Sequence, residues 1–244
     1  GAIASGGWSV ASGRNSTASG YTSIVAGGLN GYANGPYGTV SGGYAGQALG
    51  CFSAVGGGYQ NRACGFASTV SGGYQNCASA NYSNIGAGSS NLSSGVRSTI
   101  SGGHSNTASG ACSTIGGGCA NTASGAYATI GGGRTHTVNG AWATVSGGYG
   151  NTASGQISFA VGYGNTASGC RSTVTGGQGN ISSGGWSTVG GGLSNTSSGG
   201  CSTAGGGSSN TASGTISTVG GGCGNTSSGA YSTVTGGIVN TASS

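Results

Sequence analysis

The sequence predicts an all-β fold: a single-stranded parallel β-solenoid, or β-roll, of about 16 coils of 14–15 residues. Three observations carry this expectation. One short pattern repeats along the whole chain, glycine makes up 62 of the 244 residues, and bulky side chains recur at fixed places within each repeat. A helical reading fails, because glycine and β-branched residues dominate and no 3.6-residue period is present.

The segment Asn-Thr-Ala-Ser-Gly starts at Asn106, Asn121, Asn151, Asn165 and Asn210, with close variants at Asn61, Asn76, Asn91, Asn180, Asn195 and Asn225. His136 opens a degenerate copy, and Ser16, Gly31 and Gly46 open more distant ones. The step is 15 residues, shortened to 14 between Asn151 and Asn165 and again near the N-terminus. The repeat fills residues 1–244 as one continuous solenoid domain and leaves no room for a second.

With Asn as position 1, the consensus is N-T-A-S-G, two variable residues, S-T-V-S-G-G, and two more variable residues. Strand side chains alternate. Aliphatic position 10 (Val40, Val70, Ile100, Ile115, Val145, Val189, Val219) and small position 8 (Ser68, Ser113, Ala128, Ser187) therefore face inward, and Thr at position 9 faces out. In the first segment, small position 3 (Ala108, Ala123, Ala153) is placed inward, with positions 2 and 4 outward. Glycines at positions 5, 12 and 13 are expected to supply positive-φ turns. At about 4.8 Å per coil the stack would be roughly 75–80 Å long, with a narrow core.

Composition limits the function classes. Asp and Glu are absent, and the fixed charges are Arg14, Arg62, Arg97, Arg134 and Arg171, spread along the chain rather than clustered. Ion pairs cannot hold such a fold together, and no stripe suited to nucleic acid exists. No apolar run approaches the roughly 20 residues of a membrane span. General acid–base chemistry wants carboxylates or positioned His residues, so the chain reads as a non-enzyme without cofactor or metal. With no starting Met and no signal peptide, it reads as already processed. Eight cysteines without CxxC spacing fit an oxidising, extracellular setting better than a zinc site.

The run Ala143–Gly155, with its S-T-V-S-G-G and N-T-A-S-G units, resembles the YadA-like head repeats of trimeric autotransporter adhesins. That resemblance implies a left-handed β-roll that oligomerises. The same units are similar to repeats of the ryegrass ice-binding protein, which implies an outward array that contacts ice.

Two arrays are candidate sites. The first is a Thr ladder at position 2: Thr107, Thr122, Thr137, Thr152, Thr166, Thr196, Thr211, Thr226 and Thr241, interrupted by Ile181. In the first third of the chain Tyr32, Gln47, Arg62, Cys77 and Leu92 take that column instead. The ladder could order water for ice binding; the plain alternative is that Thr favours strands. The second array is a pair of bulky columns at the coil edges. Trp8, Tyr37, Phe52, Phe66, Tyr82, Tyr127, Trp142, Trp186 and Tyr231 are assigned to position 7. Tyr44, Tyr59, Tyr74 and Tyr149 are assigned to position 14, with Leu29, Leu193 and Ile238. Rung-to-rung stacking and lateral packing against another chain are equal readings of these edges.

Three smaller features complete the reading. His104, Cys119 and Arg134 share position 14, which would set a thiol between basic groups; the plain reading, an inert surface Cys, is the stronger. Cys64 and Cys77 fall on adjacent coils of one face, within reach of a bridge, whereas Cys112 and Cys119 lie on opposite edges. Sequons start at Asn15, Asn81, Asn91, Asn180, Asn195 and Asn225, and at position 1 the Asn is expected in an inward amide ladder.

The function expected from these features is structural. The chain would be a building block of an extracellular fibre, sheath or adhesive appendage, joined as a homo-oligomer or filament through uncapped solenoid ends and aromatic edges. Partners would be further copies and a surface or glycan. The alternative is an ice-binding protein that uses the Thr ladder.

Overall fold

The computed structural model describes residues 1–243. It is a parallel β-solenoid of about 16 coils, and no helix occurs among the described residues. The chain forms two units, Gly1–Ser124 and Gly125–Ser244, both built from the same coil.

Each coil contributes two short strands. One spans positions 2–3 and the other positions 9–10, as in Thr107–Ala108 and Thr114–Ile115. Each strand pairs in parallel with its equivalent one coil on, so that Thr107 meets Thr122 and Thr99 meets Thr114. Parallel pairing normally needs a long crossover; here the remainder of the coil is the crossover. Two parallel sheets result in each unit.

The inward register is the expected one. Ile115, Val145 and Val219 are fully buried, as are Ala108, Ala123 and Ala153. Thr144 and Thr218 stay half-buried on the outer surface, and Thr114 is exposed. Between the sheets, position 3 faces position 8 of the same coil. Where position 3 is Ser, the two hydroxyls bond: Ser182 to Ser187 at 2.7 Å and Ser197 to Ser202 at 2.6 Å.

The deepest polar feature is the Asn column at position 1. The Asn195 backbone N–H donates to Asn180 Oδ1 at 2.8 Å, and Asn180 Nδ2 donates to the carbonyls of Gly176 and Gly192 at 3.0 and 2.9 Å. The pattern recurs coil after coil, for example at Asn76, Asn91 and Asn106. Four of the six sequons (Asn91, Asn180, Asn195, Asn225) are therefore locked in the core, whereas Asn15 and Asn81 are exposed. Inside the column His136 imitates Asn. Its Nδ1 accepts the Asn151 N–H at 3.0 Å, and its ring also bonds the Gly148 backbone.

The expected glycine roles need correction at positions 5 and 12. Position 13 has φ between 79° and 113°, as at Gly177 and Gly162. Position 5 is not left-handed; it is glycine because coils approach closely there. A Cβ on Gly95 would stand 2.1 Å from the Gly110 carbonyl oxygen. Ala80 does take this place, and it is half-exposed rather than buried. Position 12 is left-handed in neither Gly102 nor Gly117.

Apart from Gly191 at position 12, with φ 147°, the other positive-φ residues are at positions 7 and 15 and are mostly not glycine. The φ of the non-glycine residues runs from 49° at Ala67 to 60° at Trp8. Their peptides are turned over. Most backbone N–H groups of a coil bond forward, as Leu92 does to Asn106 O. Positions 7 and 15 bond backward, Arg97 to Asn81 O at 3.0 Å and Ser105 to Ser89 O at 2.9 Å. A left-handed non-glycine costs roughly 1–2 kcal/mol, and a backbone hydrogen bond contributes about 1 kcal/mol. The turn is thus nearly neutral, and any side chain can occupy it.

Candidate functional site

Because the position 7 turn tolerates any side chain, rings accumulate there, and the parallel stacking sets them one above the next. In the first unit, Tyr37 and Phe52 stack at 4.7 Å with planes 6° apart. Phe66 is a correction: it occupies position 6, while Ala67 holds the left-handed place. Displaced by one residue, the Phe66 ring meets Phe52 and Tyr82 edge-on, at 5.6 and 5.5 Å. Tyr21, also at position 6 and missed in the sequence, meets Tyr37 the same way at 5.8 Å. Arg97 lies over the Tyr82 ring.

The position 14 edge carries a second run. Tyr44, Tyr59 and Tyr74 stack at 4.8 and 5.0 Å. Their backbones form single parallel bridges from coil to coil.

In the second unit, Tyr127 stacks on Trp142 at 5.5 Å, and Arg171 covers Trp186. Tyr149 stacks on Tyr163 at 5.1 Å. Tyr163 was missed because it lies in the 14-residue coil. There the register shifts between Val145 and Gly148 against Ala160 and Gly162, so the residue lost falls at positions 11–12 and Tyr163 moves back into column 14.

Stacking consumes the ring faces and leaves the rims bare. Tyr59 is flanked on both sides and is still 39% exposed; outside the stacked runs, Trp8 is 83% exposed and Tyr231 74%. These runs are short apolar and phenolic rims, interrupted on the position 14 edge by Ser89, His104 and Cys119. Tyr59, stacked on both sides, offers only its rim.

The Thr ladder lies on the sheet face between the edges. In the second unit, Thr137, Thr152 and Thr166 pair in register, Ile181 interrupts, and Thr196, Thr211, Thr226 and Thr241 follow. In the first unit only Thr107 and Thr122 pair at the end of a column that runs through Tyr32, Gln47, Arg62, Cys77 and Leu92. The opposite sheet presents its own Thr column, with Thr173, Thr188, Thr203, Thr218 and Thr233 in register.

All eight cysteines are free thiols here, none of them fully buried. Cys64 and Cys77 do meet: their thiols hydrogen-bond, and Arg62 also bonds Cys64. Cys119 pairs in register with His104, but the His104 ring turns to Ser89 Oγ at 2.7 Å and Ser105 Oγ at 3.1 Å rather than to the thiol. No helix long and apolar enough to cross a membrane occurs among the described residues. The chain matches no known family model and no curated protein.

Proposed function

We propose that the chain is an extracellular structural protein whose coils associate side by side with further copies through the ring-bearing edges, as a building block of a fibre, sheath or adhesive appendage. The observation that carries this is Tyr59, which is stacked on both faces yet 39% exposed, within an unbroken run from Tyr44 to Tyr74. Stacking satisfies the rings without covering them. Covering the remaining rims is worth about 25 cal/mol per Å². With no carboxylate side chain and only five arginines in 244 residues, little charge opposes a second copy. Stacking on both faces also disfavours a sugar lying flat on Tyr59, so a glycan would have to bind away from the middle of that run.

The test is sedimentation velocity with negative-stain imaging of the purified chain at neutral pH. Concentration-dependent assembly is expected, and replacing Tyr44, Tyr59 and Tyr74 with Ser should weaken it. A monomer at all accessible concentrations would overturn the reading.

A second reading, ice binding, is favoured by the Thr columns of the second unit, one on each sheet. Ice shaping by the monomer, abolished by Thr196→Tyr and Thr211→Tyr, would establish it.

A further inference from the structure

We propose that Cys64 and Cys77 form a thiol–disulfide exchange site, which takes low-molecular-weight disulfides in the groove beside Arg62 and closes to a bridge between adjacent coils. The site stands apart from the edges and does not rest on the assembly reading.

The repeat arithmetic makes this pair unusual. Position 4 of one coil and position 2 of the next are elsewhere mostly Ser and Thr, and here alone both are Cys. The in-register neighbour of Cys77 is Arg62, two residues before Cys64. Both thiols are half-buried. Beside Arg62 and Cys77 opens a groove of about 350 Å³, lined also by Gln47, Gln60 and Gln75; Cys64 is not part of its wall and meets it through Arg62 and the Cys77 thiol. One wall is held by Gln75 Nε2, which donates to Gln60 Oε1 at 2.8 Å. The groove has room for a small disulfide, and Arg62 offers a cation to a carboxylate on it.

The two sulfurs are electronically unequal. Cys64 is held down to about 6, first by the hydrogen bond from the Cys77 thiol and then by Arg62, against the opposing effect of burial. Cys77 is pushed up by the same hydrogen bond, then by burial and by the Cys64 charge. At neutral pH the pair therefore keeps one proton, on Cys77. That is the division of roles between an attacking and a resolving thiol.

The chemistry balances as follows. The Cys64 thiolate attacks one sulfur of R–S–S–R, the S–S bond breaks, and one RS⁻ leaves with the mixed disulfide formed on Cys64. Cys77 gives up its proton and attacks the Cys64 sulfur, expelling the second RS⁻. Two protein thiols are oxidised to one disulfide, and the small disulfide is reduced to two thiols.

The test treats the reduced full-length chain with oxidised glutathione and maps thiols by mass spectrometry. The tryptic peptide from Ala63 to Arg97 holds both residues and no other Cys. It should lose two hydrogens before any other cysteine reacts. Cys77→Thr, which restores the residue common at that position, should accumulate a glutathione adduct on Cys64, while Cys64→Ser should leave Cys77 no more reactive than Cys201. At pH 6 a half-ionised Cys64 should also alkylate about tenfold faster than an ordinary thiol, after allowing for the lower nucleophilicity of a low-pKa sulfur. Adducts spread evenly over all eight cysteines, or a Cys77→Thr variant with no excess adduct at Cys64, would overturn the proposal.

Discussion

Replacing Asn180 with Ala tests the claim that the amide column, rather than the thin aliphatic core, holds the coils in register. The substitution removes the acceptor of the fully buried Asn195 N–H and two donations, to Gly176 and Gly192. The carbonyls lose less than the amide. Gly192 O still receives the Gln178 N–H at 2.9 Å, and Gly176 O still receives Asn165 Nδ2 at 3.2 Å. An orphaned buried N–H costs about 2 kcal/mol, and the two lost donations add about 1 kcal/mol together. The expected total is about 3 kcal/mol. Coil arrays need not unfold in one step, so the reading should be local: amide hydrogen exchange at Asn195, with protection falling roughly 150-fold for that free energy. Asn180→His should retain most of the protection, since His136 already supplies an acceptor and a donor in this column. Protection at Asn195 unchanged in Asn180→Ala would refute the amide column as the element that fixes register.

Other outcomes follow from the same geometry. Burial lowers the His136 pKa below its ordinary 6.5. The unfolded chain therefore takes up the proton first, so stability is complete above about pH 6.5 and declines as the pH falls below it. Denaturation midpoints against pH should show this slope, and His136→Asn should remove it; a Cys64→Ser, Cys77→Thr background excludes the thiolate that titrates in the same range. Ser113→Ala and Ser217→Ala should be neutral or mildly stabilising, because those buried hydroxyls have no hydrogen-bond partner. Ser187→Ala, which breaks bonds to Ser182 and Gly184, should cost about 1 kcal/mol by thermal denaturation. Val145→Asp should cost several kcal/mol, since Val145 is fully buried and all five arginines are exposed; the His136→Asn background keeps the one buried imidazole from pairing with the new carboxylate.

Much of the coil was legible in the sequence because a period of two within each segment leaves a single inward register. Val145, Ile115 and Ala153 could not have been placed outward without exposing the whole apolar column. The Asn ladder was legible for the same reason, since a residue between outward neighbours that recurs every 15 residues must point inward and meet its own copies. The turns were less legible. Glycine and Asn are the usual signs of positive φ, yet Tyr37, Trp142 and Arg171 adopt it with neither. The cause is a backward hydrogen bond to the preceding coil, which leaves no mark in composition. That blindness misplaced Phe66 by one residue; Tyr163 was hidden for another reason, since its column could be found only once the lost residue of the 14-residue coil was located.

The lack of carboxylates follows from the same geometry. Every position in a parallel stack repeats about 4.8 Å away on the coils above and below. A like-charged ladder at that spacing would repel along its full length, whereas an amide, a hydroxyl or a ring attracts its own copy. Asn bonds Asn, Gln75 bonds Gln60, and Tyr stacks on Tyr. The arginines obey this rule by isolation: none of the five meets another Arg in register, and three of them lie over a ring of a neighbouring coil. A direct check is to place Arg at Tyr44, Tyr59 and Tyr74 together. Three cations about 5 Å apart should destabilise the first unit, and more so at low salt than at high. Thermal denaturation independent of ionic strength in that variant would show that the columns tolerate like charge and that another cause must account for the chain's composition.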